Sequence, residues 1–158
     1  MGTRVGIGYD SHRFQPGIPL RLGGVTIPHS HGLAGHSDGD AILHAITDAL
    51  LGAAALGNIG SFFPDSDPRW KGADSMVFLK AAVEALASQK LRVGNVDVTV
   101  ITEQPKIGPH VEEMAATVAA ALGVKIQNVS IKGKTNEGMG WIGRGEGLAC
   151  MAVATVES

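Results

Sequence analysis

The chain has little cysteine, few aromatic residues and no excess of positive charge. Its single cysteine, Cys150, rules out an internal disulfide and fits a reducing, cytoplasmic setting. Cys150 lies within an apolar run and reads as a core residue. Aromatics make up 4% of the residues. Thirteen Lys and Arg stand against fifteen Asp and Glu, for a formal charge of -2, which argues against a general nucleic-acid binder. No apolar run approaches the roughly 18 residues that span a bilayer, and the first residues lack a charged-then-apolar leader pattern. No activated cysteine is apparent, so covalent catalysis through sulfur has no candidate.

Glycine is abundant instead, at 22 of 158 residues, a length that suits one domain over residues 1–158. Residues 4–12 read as a strand, and residues 20–27 as a hairpin about Gly23-Gly24. Ser37 reads as an N-cap, with Asp38 and Asp40 in the first turn of a helix that runs to about Ala54. Ala41, Ile42, Ala45, Ile46, Ala49 and Leu50 form its apolar stripe. Residues 57–72 read as a loop, 75–90 as a helix, 96–101 as a strand, 109–122 as a helix, 129–134 and 147–156 as strands. The expected fold is α+β: a mixed four-stranded sheet with helices on one face, in a ferredoxin-like arrangement. The last strand is apolar on both faces, which fits either a central strand of a monomer or an open face covered in an oligomer.

Asp10 and His12 are two apart on a strand and leave the same face. His44, mid-helix, shares one helix side with Asp40 and Asp48. Two imidazoles and a carboxylate suit zinc or a similar divalent ion with a coordination position left open. Asp48 or Asp40 is placed to orient His44. The helix start at His36-Ser37-Asp38-Gly39-Asp40 offers amides to an anion, although its two aspartates would repel one unless a cation intervened. Gly138-Met139-Gly140-Trp141-Ile142-Gly143 matches a dinucleotide fingerprint, but too little chain follows it for a second βα unit. Gly133-Lys134-Thr135 imitates the end of a P-loop whose first glycine would fall at Asn128. Lys134 and Thr135 remain candidates to hold a phosphate, and Glu137 to hold a second cation.

The set of these pieces resembles the 2-C-methyl-D-erythritol 2,4-cyclodiphosphate synthase family. It comprises Gly8-Tyr9-Asp10-Ser11-His12, His36-Ser37-Asp38-Gly39-Asp40 with His44, Thr47-Asp48-Ala49-Leu50-Leu51-Gly52, Phe63-Pro64-Asp65-Ser66-Asp67-Pro68, Gly94-Asn95-Val96-Asp97, Lys134-Thr135-Asn136-Glu137 and Gly143-Arg144-Gly145-Glu146-Gly147. The resemblance implies a cytidine diphosphate ester as substrate, whose own 2-phosphate attacks its β-phosphorus and releases CMP. It implies Asp10, His12 and His44 as zinc ligands and Glu137 on a magnesium or manganese ion shared with the phosphates. His36 and Thr135 match catalytic positions. The substrate-binding set it implies begins with Asp10, His12, His36, Ser37, Asn58 and Gly60. Phe63, Pro64, Asp65, Ser66 and Asp67 would line the methylerythritol pocket. Thr102, Pro105, Lys106, Ile107 and Gly108 would hold the cytosine, with Lys134, Thr135 and Glu137 at the phosphates. Trp141 and Arg144 match positions near a central cavity that in some members holds an isoprenoid diphosphate. The family is a homotrimer with sheets facing its centre and sites between chains. Asn58 stands where many members carry an aspartate facing the ribose, and Trp141 often appears there as phenylalanine.

Overall fold

The computed structural model describes residues 2–158. In chain order its elements are β1 (Thr3–Pro16), β2 (Leu20–Leu22), β3 (Val25–Ile27), β4 (His31–Leu33), α1 (Ala41–Ala53), α2 (Ile59–Phe62), α3 (Ser75–Ser88), β5 (Arg92–Ile101), α4 (Val111–Leu122), β6 (Val129–Lys134), α5 (Gly140–Gly143) and β7 (Gly147–Glu157). The main sheet runs β4-β1-β7-β5-β6, with β2 and β3 forming a separate hairpin. Four of its strands are those expected. The fifth, β4, pairs with Phe14, Gln15 and Pro16, where β1 outruns its β7 partner. Three residues with a glycine at the centre carry too little pattern to be read as a strand. The order also corrects the ferredoxin-like expectation: β5 and β6 lie parallel, joined across α4, whereas that arrangement is antiparallel throughout.

The apolar sides of α1, α3 and α4 pack on one sheet face. Val96, Val98 and Val100 of β5 meet them there, as do Leu148, Cys150, Ala152, Ala154 and Val156 of β7. Burial pushes the Cys150 thiol well above its ordinary range, as befits an inert core residue. The opposite face is uncovered in the single chain. Val5, Ile7, Tyr9, Met151 and Val153 are 41–65% exposed, and Ile7 pairs with Val153 and Tyr9 with Met151 across the ladder. No helix among the described residues is long and apolar enough to cross a membrane.

Two details of α1 position the site. First, the helix does not begin at Ser37. Gly39 takes φ 74, a left-handed turn that breaks any helix at that point, and Asp40 becomes the N-cap. Its carboxylate is fully buried and accepts from the amides of Leu43 (3.1 Å), Gly23 (2.9 Å) and Gly24 (2.8 Å). Burial raises the Asp40 carboxyl against the pull of those amides. The helix start is therefore occupied by the chain's own anion and tied to the β2–β3 hairpin. The expected anion site there is absent. Second, α1 lies unusually close to β1. A Cβ at Gly6 would sit 1.9 Å from the carbonyl oxygen of Ala49, and one at Gly8 1.9 Å from that of Ala45.

Gly8→Ala is expected to destabilise the protein by about 3 kcal/mol, because the obstruction is backbone and cannot swing aside. Gly52→Ala is the control: it lies within α1 with its nearest neighbour 3.9 Å away. It should leave stability unchanged or raise it by about 0.5–1 kcal/mol. Urea unfolding of the two variants checks the contrast.

Candidate active site

Asp10 and His12 share one face of β1, and the close seating of α1 brings His44 against them. Asp10 Oδ2 lies 2.7 Å from His12 Nε2 and 3.0 Å from His44 Nδ1. One ligand atom from each of the three falls within 4.8 Å of the others. All three side chains are half-buried. The rings of His12 and His44 are tilted, with centroids 5.5 Å apart.

The partners on the far side of each ring fix its tautomer. His12 Nδ1 donates to the Ala34 carbonyl at 2.7 Å. His44 Nε2 lies 2.7 Å from Ser75 Oγ, and the Ser75 hydroxyl gives its only proton to the Asp38 carboxylate. Ser75 therefore accepts from His44 Nε2–H. Ser37 Oγ stands 3.1 Å from the same nitrogen. The nitrogens left over, His12 Nε2 and His44 Nδ1, both turn lone pairs toward one carboxylate oxygen. Such a convergence calls for a cation, either a shared proton or a metal ion. Burial works to raise the Asp10 carboxyl, but the hydrogen bonds and charges of the two histidines outweigh it and hold it below its ordinary value. For His12, burial works downward, and Asp10 and the Ala34 carbonyl outweigh it and lift the imidazole. This donor set fits zinc, with N and O ligands and a position open to the cavity.

The cavity in front of the triad has a volume of about 330 Å³. His36, Ser37, Gly60, Phe63 and Asp65 line it, joined by Gly35, Ile59, Trp70 and Phe78. Phe63 packs on Phe78 (4.5 Å) and edge-on to Trp70 (5.0 Å), giving the cavity an apolar wall. His36 is held by its Nε2, 3.3 Å from the Asp67 carbonyl, while Asp67 itself pairs with Arg69. Pro64 and Ser66 are exposed on the same turn and do not line the cavity. Asn58 is exposed beside the mouth, where its Oδ1 caps α2 by accepting from Ser61 N at 3.0 Å.

The remaining residues lie elsewhere in the chain. Thr102, Pro105, Lys106, Ile107, Gly108, Lys134 and Thr135 line a second cavity of about 360 Å³. Glu137 is exposed and paired with Lys134 at 2.7 Å, an ion pair that holds its carboxyl low. Trp141 borders a small cleft with Ser11, His12, Arg13 and Glu146; Arg144 pairs with Glu146 at 2.6 Å. Two expectations for His44 need correction. Asp40 is committed to the helix cap, and Asp48 accepts from Ile59 N at 2.6 Å. The orienting group is the Ser75–Asp38 pair, which the sequence does not flag: Asp74-Ser75 looks there like a plain helix start.

The model of the YgbB family matches residues 3–157. A curated relative from Gemmatimonas aurantiaca, named 2-C-methyl-D-erythritol 2,4-cyclodiphosphate synthase, is 63% identical over 153 residues, covering 97% of this chain and 92% of the relative. A solved structure described as the same synthase with CDP bound superimposes with a TM-score of 0.90 at 37% identity, covering 98% of this chain and all of that one. The bifunctional IspDF of Campylobacter jejuni matches with a TM-score of 0.95 at 37% identity over 99% of this chain, which corresponds to 42% of that larger protein.

Ser75→Ala is expected to weaken zinc binding at the triad by about 10-fold or more, since His44 is then free to take the other tautomer. Competition with a chromogenic chelator measures this directly. Unchanged affinity would remove Ser75 from the ligand-orienting role.

Proposed function

The chain belongs to the YgbB family, and from that premise we propose that it converts 4-diphosphocytidyl-2-C-methyl-D-erythritol 2-phosphate into the 2,4-cyclodiphosphate and CMP. The observation that carries this reading is the convergence of His12 Nε2 and His44 Nδ1 on Asp10 Oδ2. It is a cation site built beside a cavity, with no nucleophile asked of the protein. The reaction needs none, because an oxygen of the substrate's 2-phosphate forms the new bond to the β-phosphorus. The bond from that phosphorus to the bridging α-phosphate oxygen breaks, and CMP leaves with the electron pair.

Asp10, His12 and His44 would hold zinc, and Glu137 would take part in holding a magnesium or manganese ion; bound there, these ions supply positive charge to the diphosphate oxygens. The chain's own groups supply position and further charge. Gly60, Phe63 and Asp65 enclose the methylerythritol unit against the aromatic wall, and Pro64, Ser66 and Asp67 hold the turn that carries them. Ser37 and His36 face the reacting phosphates, and His36 Nε2–H exchanges its carbonyl partner for a phosphoryl oxygen. Lys134 and Thr135 donate to the nucleotide phosphates, so charge that builds in the transition state meets fixed donors. The loop through Thr102, Pro105, Lys106, Ile107 and Gly108 receives the cytosine. Asn58 uses its free Nδ2–H to meet the ribose, in place of a carboxylate acceptor.

Within one chain the triad cavity and the second cavity are separate, and an apolar sheet face stands open. These features suit an assembly of several copies, and by the family resemblance we read the protein as a cytoplasmic homotrimer, with sheets facing its centre and each active site completed by a neighbour. Trp141 and Arg144 would border the central cavity, the place where some members of the family hold an isoprenoid diphosphate.

Incubation of the purified protein with the cytidylyl substrate and a divalent ion should yield equimolar CMP and cyclic diphosphate, and Asp10→Asn should abolish turnover. Linear phosphates as the sole products would replace this reading with hydrolysis. Ile7→Glu places a charge on the open sheet face. It should give monomers by sedimentation that retain zinc but turn over at least about 100-fold more slowly, as expected when half of the positioning groups are missing.

A further inference from the structure

The turn from Lys134 to Gly138 carries three groups assigned above to the phosphates, yet it is held from outside itself. Glu103, half-buried in the loop after β5, turns both carboxylate oxygens onto it. Oε2 accepts from Asn136 N at 2.7 Å, and Oε1 from Gly138 N at 3.0 Å. Glu137 and Gly138 are both left-handed, with φ 54 and 73. A non-glycine residue adopts that conformation only when its surroundings impose it. Successive amides in such a turn form a concave anion receptor, the arrangement that elsewhere binds a ligand's phosphate. Here the chain's own carboxylate fills it.

The consequence is geometric. With Asn136 and Gly138 pinned, Glu137 N points back at Thr135 Oγ1 (3.3 Å), and the Glu137 carboxylate projects to the side where Lys134 Nζ meets it. Glu103 also belongs to the segment that lines the second cavity together with Lys134 and Thr135. Its neighbour Thr102 is buried and donates its amide to the Lys134 carbonyl at 3.0 Å. The base-side loop and the phosphate-side turn are thus joined at two adjacent residues. We infer that Glu103 is a positioning residue that latches the 134–138 turn to the 102–108 loop and so preforms the pocket for a nucleoside diphosphate. The inference rests on the reading that these two segments hold the nucleotide.

The test is Glu103→Gln, which keeps the size of the side chain but presents an NH₂ donor where one amide needs an acceptor. CDP is the probe, measured by calorimetry. The dissociation constant should rise about 10-fold or more, as expected for a lost charge-assisted hydrogen bond. Turnover at saturating substrate should also fall, because Thr135 moves with the turn. Zinc content and thermal midpoint should stay near wild type, and the amide resonances of Asn136 and Gly138 should shift upfield. Glu103→Asp keeps the charge but is one methylene short of spanning both amides, and should fall between the two. Wild-type CDP affinity in Glu103→Gln overturns the latch. So does weakened binding with both resonances in place, or a collapse of thermal midpoint and zinc content in both variants, which would make Glu103 a general structural residue. If wild-type protein fails to bind CDP, or Thr135→Ala binds it undiminished, the nucleotide reading itself falls, and the latch with it.

Discussion

The site depends on how closely α1 can approach β1. Gly6 and Gly8 leave no side chain between strand and helix, and Ala45 and Ala49 present the helix backbone directly to them. An alanine at either glycine would overlap a carbonyl oxygen, so the spacing has no slack. His44 is the residue before Ala45, and Asp10 lies two residues beyond Gly8 on the same strand. The contact that closes the core therefore also sets the reach from His44 Nδ1 to Asp10 Oδ2. At the far end of the same helix face, Asp40 ties the helix start to the β2–β3 hairpin with three amides. Helix position and helix rotation are both fixed before any ion or substrate arrives.

On that frame the chemistry is a problem of where protons sit. His12 and His44 each have one nitrogen committed, to the Ala34 carbonyl and to Ser75, and the Ser75 proton is committed in turn to Asp38. Each commitment turns the remaining lone pair inward. A histidine free to choose its tautomer would expose a lone pair only part of the time, and would pay for it in metal affinity. The Ser37 and Asp38 loop is itself anchored, since Asp38 also accepts from Ser75 N at 3.0 Å and the His36 carbonyl accepts from Gly72 N at 2.6 Å. The segment that lines the cavity and the segment that orients a ligand are thus one hydrogen-bonded unit.

What the sequence made legible divides along the range of the interactions. Strand period and helix period are local rules that put Asp10 and His12 on one strand face and His44 on one helix side; that the two meet at one site is implied by the family resemblance and not by period. The bounds of β6 followed for the same reason, and those of α3 and α4 nearly so. The start of α1 was misread because Ser37, Asp38 and Asp40 are all good caps, and the choice among them rests on Leu33, which packs against Gly39, and on the hairpin amides of Gly23 and Gly24. The edge strand β4 was missed because its pairing with Phe14, Gln15 and Pro16 is created by the length of β1. Ser75 and Glu103 were missed on stronger grounds. Each acts on a partner more than thirty residues away, and each has an ordinary local role as a helix start or a loop carboxylate.

The two faces of the sheet complete the logic. The covered face carries small residues in β7, Ala152 and Ala154, opposite Gly8 and Gly6 in β1, which is what close helix seating requires. The other face carries Met151 and Val153 opposite Tyr9 and Ile7. Because side chains alternate along a strand, the residues that seat the helix and those that form the open apolar face are interleaved on β1 and β7. A shift of register by one residue would bring bulk against α1 and also remove apolar side chains from the open face. The metal site, on the same strand, would be lost as well, because Asp10 and His12 would turn away from His44. One strand register thus governs helix packing, the Asp10, His12 and His44 cluster and the open apolar face.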